Sequence, residues 1–213
     1  MTSDDPHAIT DQTSLRAMYG ESAVEHKKSP VLTPSAAASL RMAPFFVLAT
    51  ADAEGRCDAS PRGGPSGLIQ ILDEGTIAFP DLPGNRLIDS LRNIVDNPHV
   101  GLLVVTPGKD ETIRIDGRAH LTTDPELLAR WDGLVRKAKL AVVVSIDTVF
   151  VHCALAFRRS AFWSADTWAD YEATPDMTVI FNEMTGAEDD PAVFRTALDR
   201  EYEEILADER PPQ

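Results

Sequence analysis

Between residues 44 and 152 the apolar positions fall into short runs separated by turn-forming residues, which is the signature of strands joined by hairpins. The run at 44–51 (PFFVLATA) is apolar, β-branched and aromatic. DAEG turns it, and CDASPR follows as its antiparallel partner. Residues 67–72 (GLIQIL) and 76–79 (TIAF) flank the turn Asp73-Glu74-Gly75. Residues 99–106 (HVGLLVVT) and 112–121 (TIRIDGRAHL) flank PGKDE, and Ile113 and Ile115 alternate with polar neighbours at period two. The run at 140–152 (LAVVVSIDTVFVH) completes six or seven strands. Short strands, hairpins and few interspersed helices predict a mainly β protein, an antiparallel closed sheet forming a small barrel with peripheral helices.

Helical pattern is confined to the edges of this set. The Ala-rich segment 34–42, with Pro34 in its first turn, predicts a short helix. Thr123-Asp124-Pro125-Glu126 announces another through a cap, a proline and an early acid. Asp189-Asp190-Pro191 opens an acidic helix running to about Ala207. The chain therefore divides into a peripheral arm at 1–32, with short helical possibilities, a barrel domain at 33–168 and a C-terminal helical extension at 169–213.

The helix predicted at 86–96 carries two stripes. Leu87, Ile88, Leu91, Ile94 and Val95 form an apolar stripe suited to a core. Arg86, Asp89, Ser90 and Asn93, at i, i+3, i+4 and i+7, form a polar stripe that starts at the helix N-terminus. Unpaired N–H groups there favour an anion, and the preceding loop FPDLPGN supplies Asn85 as a cap or a ligand contact. On periodicity alone the stripe reads first as an ordinary solvated face, with Asn85 merely capping. Arg86 tilts the balance, because a cation in the first turn opposes the helix dipole unless an anion is near. A second candidate cradle is DASPRGGPSG at 58–67, where glycines allow close backbone approach and Arg62 ends a strand. Its alternative reading is a Gly/Pro-rich turn.

Composition narrows the chemistry. The chain has 213 residues and a formal net charge of −14, which argues against nucleic acid and leaves any anionic ligand to a few local cations. No apolar run is long enough to span a membrane, and the N-terminus lacks a secretory pattern, so a cytoplasmic protein is expected. Cys57 and Cys153 are expected in the core. The five histidines show no metal spacing, and His99, His120 and His152 read as strand residues, so no metal site is expected. Neither a Walker A loop, nor GxGxxG, nor a GxSxG elbow is present. A cradle without a protein nucleophile suits a cofactor that carries the chemistry itself.

Four segments together resemble the pyridoxamine 5′-phosphate oxidase-like split-barrel flavoproteins: FVLATADAEGRCDASPRGGPSG, TIAFPDLPGNRLIDSLRNIVDNPHVGLLVVTPG, ETIRIDGRAHLTTDPEL and VFVHCALAFRRSAFW. They cover about residues 44–168 in the family's order. The resemblance implies a six-stranded split barrel, a homodimer and one FMN at each end of the dimer interface. It places Asn85 and Arg86 at the phosphate, with Ser90 and Asn93 along the same face. Ser60, Pro61 and Arg62 stand beside the flavin, and the backbone of Phe79, Pro80 and Asp81 borders its ring. Trp163, and more weakly Arg159, match positions that cover the pocket from the partner. No catalytic side chain is named.

Two departures bear on substrate. The C-terminal Arg/His motif of true pyridoxamine phosphate oxidases is replaced by EEILADERPPQ, so vitamin B6 oxidation is not expected. Leu155 and Gly64 stand where close relatives commonly carry a lysine and an acid. The expectation is an FMN-binding oxidoreductase of unknown substrate, with hydride transfer at flavin N5. Its alternatives are an F420-dependent reductase, or a flavin- or haem-binding carrier or sensor.

Overall fold

The computed structural model describes residues 5–82, 84, 86–136, 138–168 and 173–209. Its strands are β1 (Phe45–Ala51), β2 (Cys57–Gly63), β3 (Gln70–Asp73), β4 (Thr76–Pro80), β5 (His99–Val105), β6 (Thr112–Thr122) and β7 (Ala141–His152). They form one antiparallel sheet in the order β2-β1-β5-β6-β7-β4-β3. Each lies in a run that the hydrophobic pattern marks. Among the described residues they number seven, where the family resemblance implied six.

Register sorts the side chains into two faces. Ser60, Leu48, Leu102, Ile115 and Val149 lie opposite one another across five strands, and the last four are buried. The neighbouring row Pro61, Val47, Leu103, Arg114 and Phe150 points the other way, because successive residues of a strand alternate. The first face is the inside of the barrel. Inner rows are largely apolar from β7 to β1, with Thr50 of β1 a buried polar exception, and turn polar at β2, where Asp58, Ser60 and Arg62 alternate with the exposed Ala59 and Pro61.

Curling of the sheet brings β1 and β2 against β4. The Phe46 and Phe79 rings, both buried, meet edge to face with centroids 4.8 Å apart. Arg62 Nη1 reaches Asp81 Oδ1 at 3.1 Å. The arm closes the remaining gap along β7: Ser29 and Val149 exchange two backbone hydrogen bonds of 3.0 and 2.7 Å, and Leu32 N–H donates to Glu74 C=O.

Helices flank this barrel: α1 (Gln12–Tyr19), α2 (Pro34–Met42), α3 (Asp89–Asp96), α4 (Pro125–Leu128), α5 (Leu155–Arg159), α6 (Met177–Thr185) and α7 (Pro191–Glu209). Caps set their starts as the sequence suggests, with Thr33 accepting from Ala36 N–H and Asp124 from Glu126 N–H. The helix α6 was not foreseen in a weakly patterned stretch; Asp176 caps it, accepting from Thr178 N–H and Oγ1, and Gly186 ends it at φ 70°. Arg195 of α7 binds the same Asp176 carboxylate at 2.9 Å, and Phe181 packs on Phe194, so α6 and α7 form a helical hairpin.

The cysteines depart from expectation. Both are exposed, Cys57 at the first residue of the edge strand β2 and Cys153 just past the end of β7.

One backbone contact is unusually close. At the β6–β7 bulge beside Asp116, a Cβ on Gly117 would lie 2.3 Å from the Ser145 carbonyl oxygen. The Gly117→Ala substitution is therefore expected to cost about 1–3 kcal/mol and to lower Tm by several degrees. Gly75→Ala, whose Cβ would meet only Asp73 Oδ1 at 3.6 Å, serves as control. Thermal unfolding followed by circular dichroism decides the point, and equal Tm values for the two variants would contradict it.

Candidate functional site

The site grows from the alternation of β2. Asp58, Ser60 and Arg62 occupy inward positions of an edge strand and are half-buried, spanning about 13 Å of strand. Polar groups at the end of otherwise apolar rows need partners, since an unpaired buried polar group costs about 1–3 kcal/mol. At one end Asp58 accepts a 2.6 Å hydrogen bond from Ser90 Oγ on α3. At the other end Arg62 binds Asp81, which follows β4. Arg62 and Asp81 are only 21% and 25% exposed, so their pair is less screened than the usual surface pair worth about 0–1 kcal/mol. Even so, Arg62 Nε is buried and has no hydrogen-bond partner among the described residues.

The helix α3 begins later than its periodicity suggests. It spans Asp89–Asp96, not 86–96, because Arg86 and Ile88 both adopt left-handed backbone conformations, at φ 62° and 52°. Such conformations cost about 1–3 kcal/mol each for residues other than glycine, and they concentrate at ligand sites. The apolar stripe shortens accordingly. Leu91 and Ile94 are buried, whereas Leu87, Ile88 and Val95 are exposed.

The polar stripe is also redistributed. Ser90 is 2% exposed and donates to Asp58, and Asn93 Nδ2 donates to Thr50 Oγ1 at 3.0 Å. These bonds dock α3 onto β1 and β2. The hydroxyl of Ser90 has one proton, already committed to a charge-assisted bond of about 1.5–3 kcal/mol. Arg86 is exposed in the loop before the helix. Ile88, the residue preceding α3, offers no side-chain cap, so the first N–H groups of α3 lack that means of satisfaction. Asn85 lies outside the described residues.

The strand end at Phe79, Pro80 and Asp81 adjoins Arg62. Phe79 and Pro80 are buried, so a ligand there meets backbone. The β3 ladder stops with Gln70 opposite Ala78, which leaves β4 unpaired by a strand on that side from Phe79 onward. Pro80 suits such an edge because it has no N–H to offer. Pro61, on the opposite face of β2 from Ser60 and Arg62, is exposed.

Trp163 belongs to another cluster. Its indole N–H donates to Lys109 C=O at 3.0 Å, in the β5–β6 turn, two strands from β2 along the sheet. The ring stacks on Phe157 at 5.7 Å and 9°, with Phe162 edge-on to both. Arg158 binds Asp110 of the same turn at 2.9 Å, while Arg159 is exposed. Within one chain, then, Ser60 and Arg62 share the inner face of β2, Asp81 pairs with Arg62, α3 docks on the same strand through Ser90, and Trp163 belongs to a separate cluster. Asp58 was missed because it was read as part of a loop cradle; its alternation with Ser60 and Arg62 is the signal that could have found it.

Comparisons with known proteins bear on this arrangement. Among solved structures, HupZ of Group A Streptococcus is 18% identical, with a TM-score of 0.47, covering 56% of this chain and 93% of its own. A candidate pyridoxamine 5′-phosphate oxidase from Lactobacillus delbrueckii is 20% identical, with a TM-score of 0.46, covering 58% and 98%. An FMN-binding protein from Syntrophomonas wolfei is 15% identical, with a TM-score of 0.43, covering 55% and 84%. No curated protein sequence matches the chain. The sequence model of pyridoxamine 5′-phosphate oxidase matches residues 32–153, more than half of the chain and all seven strands. The chain belongs to the pyridoxamine 5′-phosphate oxidase family.

Proposed function

We propose that this protein is an FMN-binding oxidoreductase whose flavin lies along the inner polar row of β2. The observation that carries the reading is the buried Nε of Arg62, unpartnered among the described residues, in a row that runs toward an α3 N-terminus whose N-cap residue Ile88 supplies no side-chain cap. These are donors in want of an acceptor, and a phosphate monoester with a heteroaromatic body supplies acceptors at both ends.

Arg86 and the first N–H groups of α3 hold the phosphate. Ser90 and Asn93 act as positioning residues, fixing α3 to Asp58 and Thr50 so that its N-terminus faces the row. Ser60 and Arg62 donate to the ring system, and Asp81 holds the guanidinium in place. The backbone at Phe79, Pro80 and Asp81 borders the ring. When bound, FMN supplies hydride chemistry at N5. A homodimer completes the pocket, with Trp163 and Arg159 delivered from the partner; family membership supports this reading, as does the separation of Trp163 from Arg62 in one chain.

Two expected outcomes follow. Arg86→Ala weakens FMN by about 1.5–3 kcal/mol, roughly 10–150-fold in Kd, the scale of a hydrogen bond to a charged group, and leaves riboflavin affinity unchanged. Flavin-fluorescence titration of the apoprotein checks both, and an unaltered Kd for FMN would remove Arg86 from the site. In stopped-flow experiments NADH or NADPH reduces the bound flavin, as an oxidoreductase requires. No reduction by either nucleotide would favour a carrier or sensor, and a protein binding F420 but not FMN would replace the cofactor assignment.

A further inference from the structure

At the seam where β2 meets the end of β4, the fold leaves one hydrogen-bond donor and one acceptor unmatched. Asp81 N–H donates to Leu140 C=O at 2.9 Å, and Ile146 N–H donates to Gly75 C=O at 2.8 Å. Phe79 lies opposite Val142 in the same register, so the hydrogen-bonded pairs between β4 and β7 fall at alternate positions from Gly75 to Asp81. Phe79 and Asp81 therefore turn their backbone groups toward β7. Pro80, between them, turns its carbonyl to the open edge.

Gln70 lies opposite Ala78, so a longer β3 ladder would bring Leu68 opposite Pro80. Leu68 is engaged elsewhere: its N–H donates to Pro65 C=O at 3.1 Å, and its C=O accepts from Trp131 Nε1 at 2.9 Å. Among the described residues, then, Pro80 C=O accepts no hydrogen bond, although Pro80 is buried. Beside it, Asp81 holds Arg62 at 3.1 Å, and Arg62 Nε is the buried donor without an acceptor among the same residues. Pro80 has no N–H, and that of Asp81 is committed to Leu140, so neither offers a ligand a backbone donor.

An acceptor next to a charged donor calls for a ligand edge with the opposite order, an N–H beside a carbonyl. The imide edge of an isoalloxazine has that order, with N3–H between C2=O and C4=O, whereas N5 of the oxidised ring only accepts. We infer that the seam reads the imide edge: N3–H donates to Pro80 C=O, and an adjoining ring carbonyl accepts from Arg62 Nε. The inference rests on the proposed flavin site and adds which edge of the ring is held, leaving N5 free of the seam. The deazaflavin of F420 carries the same imide, so the seam does not choose between the two cofactors.

Fluorescence titration of the apoprotein with FMN, N3-methyl-FMN and 5-deaza-FMN tests the inference. N3-methylation removes the donor and strands the Pro80 carbonyl, so it is expected to weaken binding about tenfold or more, whereas 5-deaza-FMN binds as FMN does. In NMR spectra of bound FMN labelled with nitrogen-15 at N3, the N3 proton is expected to exchange with solvent more slowly than in free FMN. That second readout separates a hydrogen bond from mere exclusion of a methyl group. Equal affinity for FMN and N3-methyl-FMN, or an N3 proton that exchanges as fast as in free FMN, would overturn the inference and leave the flavin site standing. A loss with 5-deaza-FMN in place of N3-methyl-FMN would put N5 at the seam and overturn it as well. Failure of all three flavins to bind would overturn the proposed function, and this inference with it.

Discussion

The Arg62–Asp81 ion pair joins strands that lie near opposite ends of the sheet order, and the candidate site depends on that closure. The Phe46–Phe79 contact beside it supplies the apolar part of the same junction. The two contacts differ in kind. Burying two aromatic rings is non-directional and sets how far the sheet curls. The ion pair is directional and leaves one buried guanidinium nitrogen without an acceptor among the described residues. Closure thus resides in the same side chain that the proposed site uses, and this is what singles out the polar row of β2 from ordinary packing.

Much of the strand layout was legible because hairpin proteins announce themselves locally. The alternation Ile113, Ile115 and the turns at Asp52 and Asp73 each depend on neighbours only a few residues away. The site was less legible because its partners are distant in sequence. Ser90 looked like part of a solvent-facing stripe, yet its acceptor is Asp58, which is 32 residues away. Val95 looked like core, but α3 is short and of its apolar stripe only Leu91 and Ile94 are buried. Left-handed backbone at Arg86 and Ile88 delayed the helix start, a strain that no propensity pattern encodes. Cys57 and Cys153 fell outside the core for a similar reason, since strand termini override the general tendency of free cysteine to be buried.

Charge ties the two faces of the barrel together. In a strongly acidic chain, Arg62 sits on the inner row, paired with Asp81, and Lys27, Lys28 and Arg114 gather around Phe150 outside. Long-range fields disfavour any anion approaching such a protein. In the proposed reading short-range geometry does the selecting, through the start of α3 and the Arg62 guanidinium held by Asp81.

The most direct test of the central claim is a crystal structure of the full chain grown with FMN. The account predicts the phosphate within hydrogen-bond distance of Arg86 and the first N–H groups of α3, the ring beside Ser60 and the 79–81 backbone, and Arg62 Nε paired to the flavin. Flavin bound away from the β2 row, or Arg62 Nε still unpartnered with FMN present, would contradict it.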